Sequence, residues 1–399
     1  MTAIGPRDIM VSMTSSAAIA PLSSGRVRVA STRLDDPELA AQQLFRELDP
    51  PSLAGCVFFA SSRYDLPALA QAIALRSDGI TMIGCTSSGE ITPDGFAEGT
   101  ITAVGFPASD FSLSAIRFGD LDHFDPADAQ RSVRGLVADA VERSGAWDTP
   151  PNRVALFLVD GLSHREEMLT ITVQDALGDI PLIGGSSGDG LAFRETFVFH
   201  DGHFHRDSAL VAILSSRRTM RVFRSQYYHP GSIRMVVTGA DPANRIVTGI
   251  NAEPAVAEYA RLVGATTDEL SPAIFASRPP MVRAGGEYYV RSIQSANPDG
   301  SLTFYCAIDE GIVLTLGEAR DIMSGLETLF DGLDRDVGGI DRIIGFDCVL
   351  NSVEIGQRQL GRAVSGLFAA RRVIGFNTYG EQFHALHVNQ TFSGLAIGC

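Results

Sequence analysis

The sequence predicts an α/β protein: repeated strand–helix–strand units forming mixed sheets in two domains, with a β-hairpin insertion in the C-terminal one. Three observations carry that prediction. Three apolar strands each return, through a helical segment, to a second strand ending in a glycine-rich turn. The spacing within the three copies is nearly constant, and a stretch of different character separates the second copy from the third.

The first copy opens with a strand at 56–60, continues through a helical face of Leu66, Leu69, Ala70 and Ile73, and returns as a strand at 80–83. That strand enters Gly84-Cys85-Thr86-Ser87-Ser88-Gly89-Glu90. The second runs from a strand at 154–159 through a helix at 165–177 to Leu182-Ile183 and Gly184-Gly185-Ser186-Ser187-Gly188-Asp189. The third runs from a strand at 346–350 through a helix at 357–370 to Gly375-Phe376-Asn377-Thr378-Tyr379-Gly380-Glu381. From Val57, Leu156 and Cys348 to the first glycine the spacings are 27, 28 and 27. Each copy is followed by another strand, at 100–106, 209–214 and 391–397.

Residues 241–342 interrupt this pattern. Asn251 is placed to cap a helix beginning near Glu253. Strands at 286–293 and 302–307 flank the turn Asn297-Pro298-Asp299-Gly300 and read as a hairpin. A helix at 318–333 leads into the third copy. The domain boundary falls at 227–230, so residues 28–228 hold two copies and 229–399 hold one. Residues 1–27 read as a flexible N-terminal extension, because polar residues break what a signal peptide would need as its apolar run.

Composition excludes several classes of function. The 399 residues suggest two to three domains, and 45% hydrophobic with 20% charged residues is ordinary globular composition. A formal charge of −15 opposes binding to nucleic acid. All 32 basic residues are arginine, which excludes lysine Schiff bases, a pyridoxal-phosphate lysine and a Walker lysine. The five cysteines are scattered and odd in number, without a C-x-x-C pair, which suggests a reducing compartment and a cytoplasmic protein. No run of eighteen apolar residues is present, so no membrane insertion is expected.

A strand entering G-x4-G has the shape of a phosphate loop, but Glu90 and Glu381 stand where the Walker pattern needs lysine. Two readings of the turns remain. Their glycines permit positive φ while hydroxyls tie up local backbone, or the same hydroxyls and carboxylates line a ligand cleft at strand ends. Cys85 is a candidate nucleophile or an inert buried thiol; no histidine lies near it in sequence. Gly161-Leu162-Ser163-His164 lacks the G-x-S-x-G elbow, and no catalytic signature is recognisable, so an enzyme is not expected.

Several of these segments resemble the FIST family in order: Ile83 to Glu90, Gly184 to Asp189, Tyr288 to Arg291, Asp309-Glu310-Gly311, and Tyr379-Gly380-Glu381 with Asn389-Gln390-Thr391. The resemblance covers about residues 28–399, with a FIST N-type ligand-sensing domain at 28–228 and a FIST C-type domain at 229–399. It implies a bacterial small-ligand sensor in signal transduction, acting through a separate partner such as a histidine kinase. Ligand-binding residues on this reading are Gly84, Cys85, Thr86, Ser87, Gly89, Glu90, Arg291, Tyr379, Glu381, Asn389 and Thr391. The stretch 380–391 further resembles the haem-binding, nitric-oxide-sensing NosP-type branch. That implies non-covalent haem b, with His387 as the axial ligand to the haem iron and His384 beside it. The alternatives are a haem-free sensor of an amino acid or related metabolite, and an enzyme with an unrecognised site. His203 and His205, at period two near Asp201-Gly202, read either as a thin metal site or as a solvated turn.

Overall fold

The computed structural model describes residues 26–77 and 79–399; the N-terminal extension expected at 1–27 lies almost wholly outside them. One unit is built three times. Each begins with an edge strand, passes through a helix, a central strand, a second helical segment and a parallel strand, then makes a short hairpin and returns as an antiparallel strand. The edge strands are Arg28–Thr32, Phe111–Gly119 and Met220–Gln226. The helices after them are Pro37–Leu48, Pro126–Ser144 and Ile322–Val337, each capped by an aspartate, Asp36, Asp125 or Asp321, whose carboxylate accepts a backbone N–H of the first turn. Pro37 and Pro126 occupy the first helical position, where a missing N–H costs nothing.

The parallel pairs are Leu53–Ser61 with Thr81–Ser87, Asn152–Val159 with Leu182–Ser186, and Ile340–Cys348 with Val373–Thr378. Each lies at the centre of a six-stranded sheet, with the returning strand and the edge strand on one side and a hairpin on the other. The hairpins are exchanged in a cycle. The hairpin Glu90–Thr92 and Gly95–Ala97 leaves the first unit and pairs with strand 373–378 of the third. That of Val198–His200 and His203–His205 leaves the second and pairs with strand 81–87 of the first. That of Glu381–Phe383 and Leu386–Val388 leaves the third and pairs with strand 182–186 of the second. Segments 28–228 and 229–399 therefore share two of the three sheets.

The inner faces of the three sheets meet in one central core that includes Val57, Phe59, Leu156, Leu158, Ile344 and Phe376. Phe59 and Phe376 stack there with ring centroids 4.5 Å apart. The helices cover the outer faces, each sheet with an apolar cluster of its own.

The third unit is interrupted after its edge strand by an eight-stranded antiparallel sheet, of which Tyr228–Asp241 and Val313–Ala319 form the centre. The expected hairpin around Asn297–Gly300 is present as Ile293–Ala296 with Leu302–Phe304, but its first strand is shorter than predicted. Residues Glu287–Val290 pair instead with Pro280–Ala284 across Gly285 and Gly286, both at positive φ. Asn251 does not cap the next helix, Ala255–Val263, whose N-cap is Pro254; it sits at φ 54°, accepting from Val236 N and donating to Glu258. The helix predicted at 318–333 starts four residues later, because Asp321 caps it and Glu318 belongs to strand 313–319.

The third copy also departs from its predicted register. Ile344, not Cys348, is the counterpart of Val57 and Leu156, since the three pair with Ile374, Ile83 and Ile183. Val349 and Leu350 already belong to the helix Val349–Gln357, which a second helix, Gly361–Ala370, follows. Two helices fill the place that one fills in the other units, and the additional residues shifted the sequence match.

Candidate functional site

The glycine segments are mostly strand. Gly84, Gly184 and Gly375 have no positive φ, so the predicted reason for them is corrected: each lies where the partner strand's backbone comes too close for a side chain. A Cβ at these positions would lie 2.5, 1.7 and 1.7 Å from the carbonyl oxygens of Phe58, Phe157 and Gly345. Of the second glycines only Gly89 is at positive φ, 137°.

At the strand ends the three segments meet in a closed ring of backbone hydrogen bonds. Ser88 N donates to Asn377 O at 3.0 Å, Gly188 N to Thr86 O at 3.1 Å, and Tyr379 N to Ser186 O at 3.2 Å. Donors and acceptors occupy the same offsets from the first glycine in every copy. The ring marks an approximate threefold axis, and the residue at its donor position differs between copies: Ser88, Gly188, Tyr379.

Two turns end in the same carboxylate clamp. Glu90 accepts from Ser87 Oγ, from Thr100 N at 3.0 Å and from Thr100 Oγ1 at 2.6 Å. Glu381 accepts from Thr378 Oγ1, from Thr391 N at 3.2 Å and from Thr391 Oγ1 at 2.6 Å. In the second unit Asp160 takes that place, accepting from Thr196 Oγ1 and from Asp207 N at 2.6 Å. Burial pushes Glu381 up to about 8 and Asp347, across the same interior, up to about 7; burial also raises Glu90, against the hydrogen bonds from Ser87 and Thr100. Glu90 and Glu381 staple their turns to the returning strands, whereas Asp160 ties the end of strand 152–159 to Thr196 and Asp207.

The first turn borders a cavity of about 500 Å³ to which all three units contribute. Ser61 to Arg63 and Ser87 to Glu90 come from the first unit, Asp189 to Leu191 from the second, and Val349, Ser352 and Val353 from the start of helix 349–357. The hydroxyls of Ser88 and Ser352 are buried without a partner among the described residues. Cys348, the N-cap of that helix, makes no side-chain cap, so the helix begins with N–H groups no side chain satisfies. Asp189 is already committed. It accepts from the N–H groups of Phe193, Arg194 and Glu195 and from the Tyr379 hydroxyl, which hold it below the usual carboxylate range although burial acts the other way. Arg63 and Glu98 face each other at the rim, 3.9 Å apart.

Thus Ser87, Gly89 and Glu90 line the cavity, whereas Gly84, Cys85 and Thr86 lie inside strand 81–87. Cys85 is part of the central core and burial holds its thiol well above its ordinary value, the inert alternative of the two expected. Thr86 accepts from Phe197 N. Ser61, Ser352 and residues 189–191 were missed, because only tertiary structure brings them to the first turn.

The other candidates gather around the third turn. The His387 ring is buried, with Nδ1 3.1 Å from Gln382 Nε2 and with Nε2 lacking a partner among the described residues. Both polar side-chain atoms of Asn389 are orphaned in the same way. Arg291 reaches the His387 carbonyl at 3.5 Å. Nearby, Arg245 bridges Glu166 and Glu167, both at 2.6 Å, tying the inserted sheet to the second unit. Burial, the largest influence, holds the His387 imidazole below its usual value, although Glu167 and Glu166 oppose it. His384 stands exposed at the hairpin tip, at φ 52°, and does not converge with His387.

For a haem, the orphaned Nε2 is a suitable donor, but the space around the ring is filled. A Cβ on Gly380 would lie 2.3 Å from Cε1 of His387 and 2.9 Å from Nδ2 of Asn389. The groups nearby are amides, carboxylates and guanidinium rather than an apolar slot. As arranged, these residues do not form a porphyrin pocket.

His203 and His205 turn their ring nitrogens to the carbonyls of Asp201 and His200, and no group of three metal-capable side chains occurs among the described residues. Asp201 and Gly202, both at positive φ, form the expected solvated turn. No helix among the described residues is long and apolar enough to cross a membrane.

A family model described as the FIST N domain matches residues 54–253, and one described as the FIST C domain matches 255–384. No curated protein matches the chain. A solved structure described as "Cyanuric acid hydrolase: evolutionary innovation by structural concatenation" is similar at 10% identity and a TM-score of 0.31, over 94% of this chain and 99% of that one. So weak a likeness carries no argument about activity.

Proposed function

The chain belongs to the FIST family, whose domains are linked to small-ligand sensing in signal transduction, and from that premise we propose a sensor that takes a small amino acid or related metabolite at the first glycine turn. The carrying observation is that Ser88 and Ser352, whose hydroxyls are buried without a partner among the described residues, both line a cavity where all three units meet. The uncapped start of helix 349–357 and Arg63 suit a carboxylate, and Glu98 suits an ammonium group. Such a ligand touches three interlocked units at once, so occupancy would bias their packing and a surface that a partner such as a histidine kinase reads.

The test is thermal unfolding with a panel of amino acids. At about 100 times its Kd a true ligand stabilises by about 2.7 kcal/mol. Ser352→Ala should remove the shift while leaving the unliganded melting temperature nearly unchanged. Absence of any shift across the panel, or a shift that survives Ser352→Ala and Ser88→Ala together, overturns this placement.

A second reading, haem at His387 with nitric oxide as the signal, keeps one observation in its favour: the orphaned Nε2. It requires the space now held by Gly380 and Asn389 to open. An absorption spectrum of protein produced with ample iron and haem precursor decides it. A stoichiometric haem band that His387→Ala abolishes supports it, and colourless protein that refuses added haem removes it.

A further inference from the structure

A cavity of about 1030 Å³ lies elsewhere, between the helix Leu66–Ala74 of the first unit and the exchanged hairpin of the second. One wall is Tyr64, Leu66, Ala70 and Ala74; the opposite wall is Phe197 and Phe204, whose rings meet edge to face at 6.5 Å. Gly202, at the hairpin turn, lies against the end of the helix, and a Cβ there would be 3.5 Å from that of Ala74. The interior is apolar and aromatic. The charged side chains on its lining are Asp65, Asp189, Glu195 and Asp201 against Arg194.

We propose that this cavity binds an organic cation with an aromatic or alkyl body, such as an arylalkylamine, its ammonium group at the acidic rim and its body between helix 66–74 and the phenylalanines. Four carboxylates against one guanidinium, in a chain of net charge −15, give the opening a negative potential that attracts amines and repels fatty or aromatic acids. The aromatic side chains pack on the ligand's body, which a bare alkylammonium such as ethylamine lacks. All four carboxylates are partly engaged: Asp189 with three backbone N–H groups and the Tyr379 hydroxyl, Glu195 with Arg206 at 2.8 Å and Asp201 with His200 at 3.0 Å, the last two open to solvent on the carboxylate side. Asp65 spends one oxygen capping helix 66–74.

The site is separate from the amino-acid cavity, with which it shares Ser62 and Asp189. A ligand here bridges the first unit and a hairpin that belongs to the second, so it acts on the exchange itself.

Titration calorimetry on the full chain tests the idea with three probes: 2-phenylethylamine, 3-phenylpropionate as the anion of the same shape, and ethylamine as the charge without the body. Binding of the first alone, tighter than about 1 mM and weakening with added salt, is the expected result. Ala74→Trp, at an exposed position on the helix end, should abolish binding by filling the cavity. Asp201→Asn keeps a residue type that tolerates positive φ and should weaken the amine about threefold to tenfold. Ser352→Ala should leave this binding untouched, which separates it from the site at the first turn. Equal or tighter binding of 3-phenylpropionate overturns the proposal, as does no heat from the amine at about 10 mM, or binding unaffected by Ala74→Trp.

Discussion

At the first turn Glu90 is clamped by Ser87 and Thr100 beside a cavity; at the third, Glu381 is clamped by Thr378 and Thr391 beneath Tyr379 and His387. The contacts that close the fold are the same in both, hydroxyl for hydroxyl and N–H for N–H. What differs is the side chain at the ring position. Ser88 leaves space in front of the turn. Tyr379 reaches across to Asp189 and packs on Phe193, with ring centroids 4.9 Å apart. The repeat has kept its staples and changed its outlook, so function should be sought where copies diverge and stability where they agree.

The strongest challenge to that separation is at the shared first glycine. Gly184→Val drives a side chain into the Phe157 carbonyl and should cost more than about 3 kcal/mol, read from urea unfolding. A cost below about 1 kcal/mol would mean that the strands are not held this closely. Next, Tyr379→Ser gives the third turn the first turn's residue. Losing a buried ring and the hydroxyl that holds Asp189 should cost about 3 kcal/mol. The converse exchange, Ser88→Tyr, should close the cavity, abolishing ligand-induced stabilisation; retained stabilisation would place the ligand elsewhere.

The clamps can be distinguished by pH. Glu381 has its folded value raised to about 8 by burial, so its contribution to stability is fully present below its ordinary value of 4.5 and is lost as pH rises through about 8. Glu381→Gln, which mimics the protonated acid, should flatten the fall in unfolding free energy between those limits. Asp347, raised to about 7, retains part of the slope. Parallel profiles for variant and parent would show that Glu381 is not the group titrating. The smallest effect belongs to Arg63→Ala, whose exposed pair with Glu98 should change stability by less than about 0.5 kcal/mol. A clear loss of ligand affinity in the same variant would assign Arg63 to the site instead.

The centre of the first two units was legible because it is local, an apolar strand, a helical face and a glycine lying within thirty residues; in the third a second helix lengthens the span and displaces the match. The outer part was not legible. Edge strands 28–32, 111–119 and 220–226 show only partial burial along their length, and the Asp-Pro starts at 36–37 and 125–126 were legible as helix signals but were not read as a repeat. The exchanged hairpins have strands of three residues, too short to carry a period, and nothing in them names the sheet they join. At the site, Ser87, Gly89 and Glu90 could be named from the motif. Ser352 could not, since a helix start from another unit carries no mark of its destination, and Asp189, legible as the end of the second turn, carries no sign that it reaches the first. Arg245 with Glu166 and Glu167 was hidden for the same reason.

The cyclic exchange of hairpins has a consequence for the order in which the molecule can be completed during synthesis. The first sheet waits for residues 198–205 and the second for 381–388, while the hairpin 90–97, among the earliest made, has no sheet to join until strand 373–378 leaves the ribosome. Until then a nascent chain carries open strand edges on its finished parts, and residues 373–388 close two sheets together.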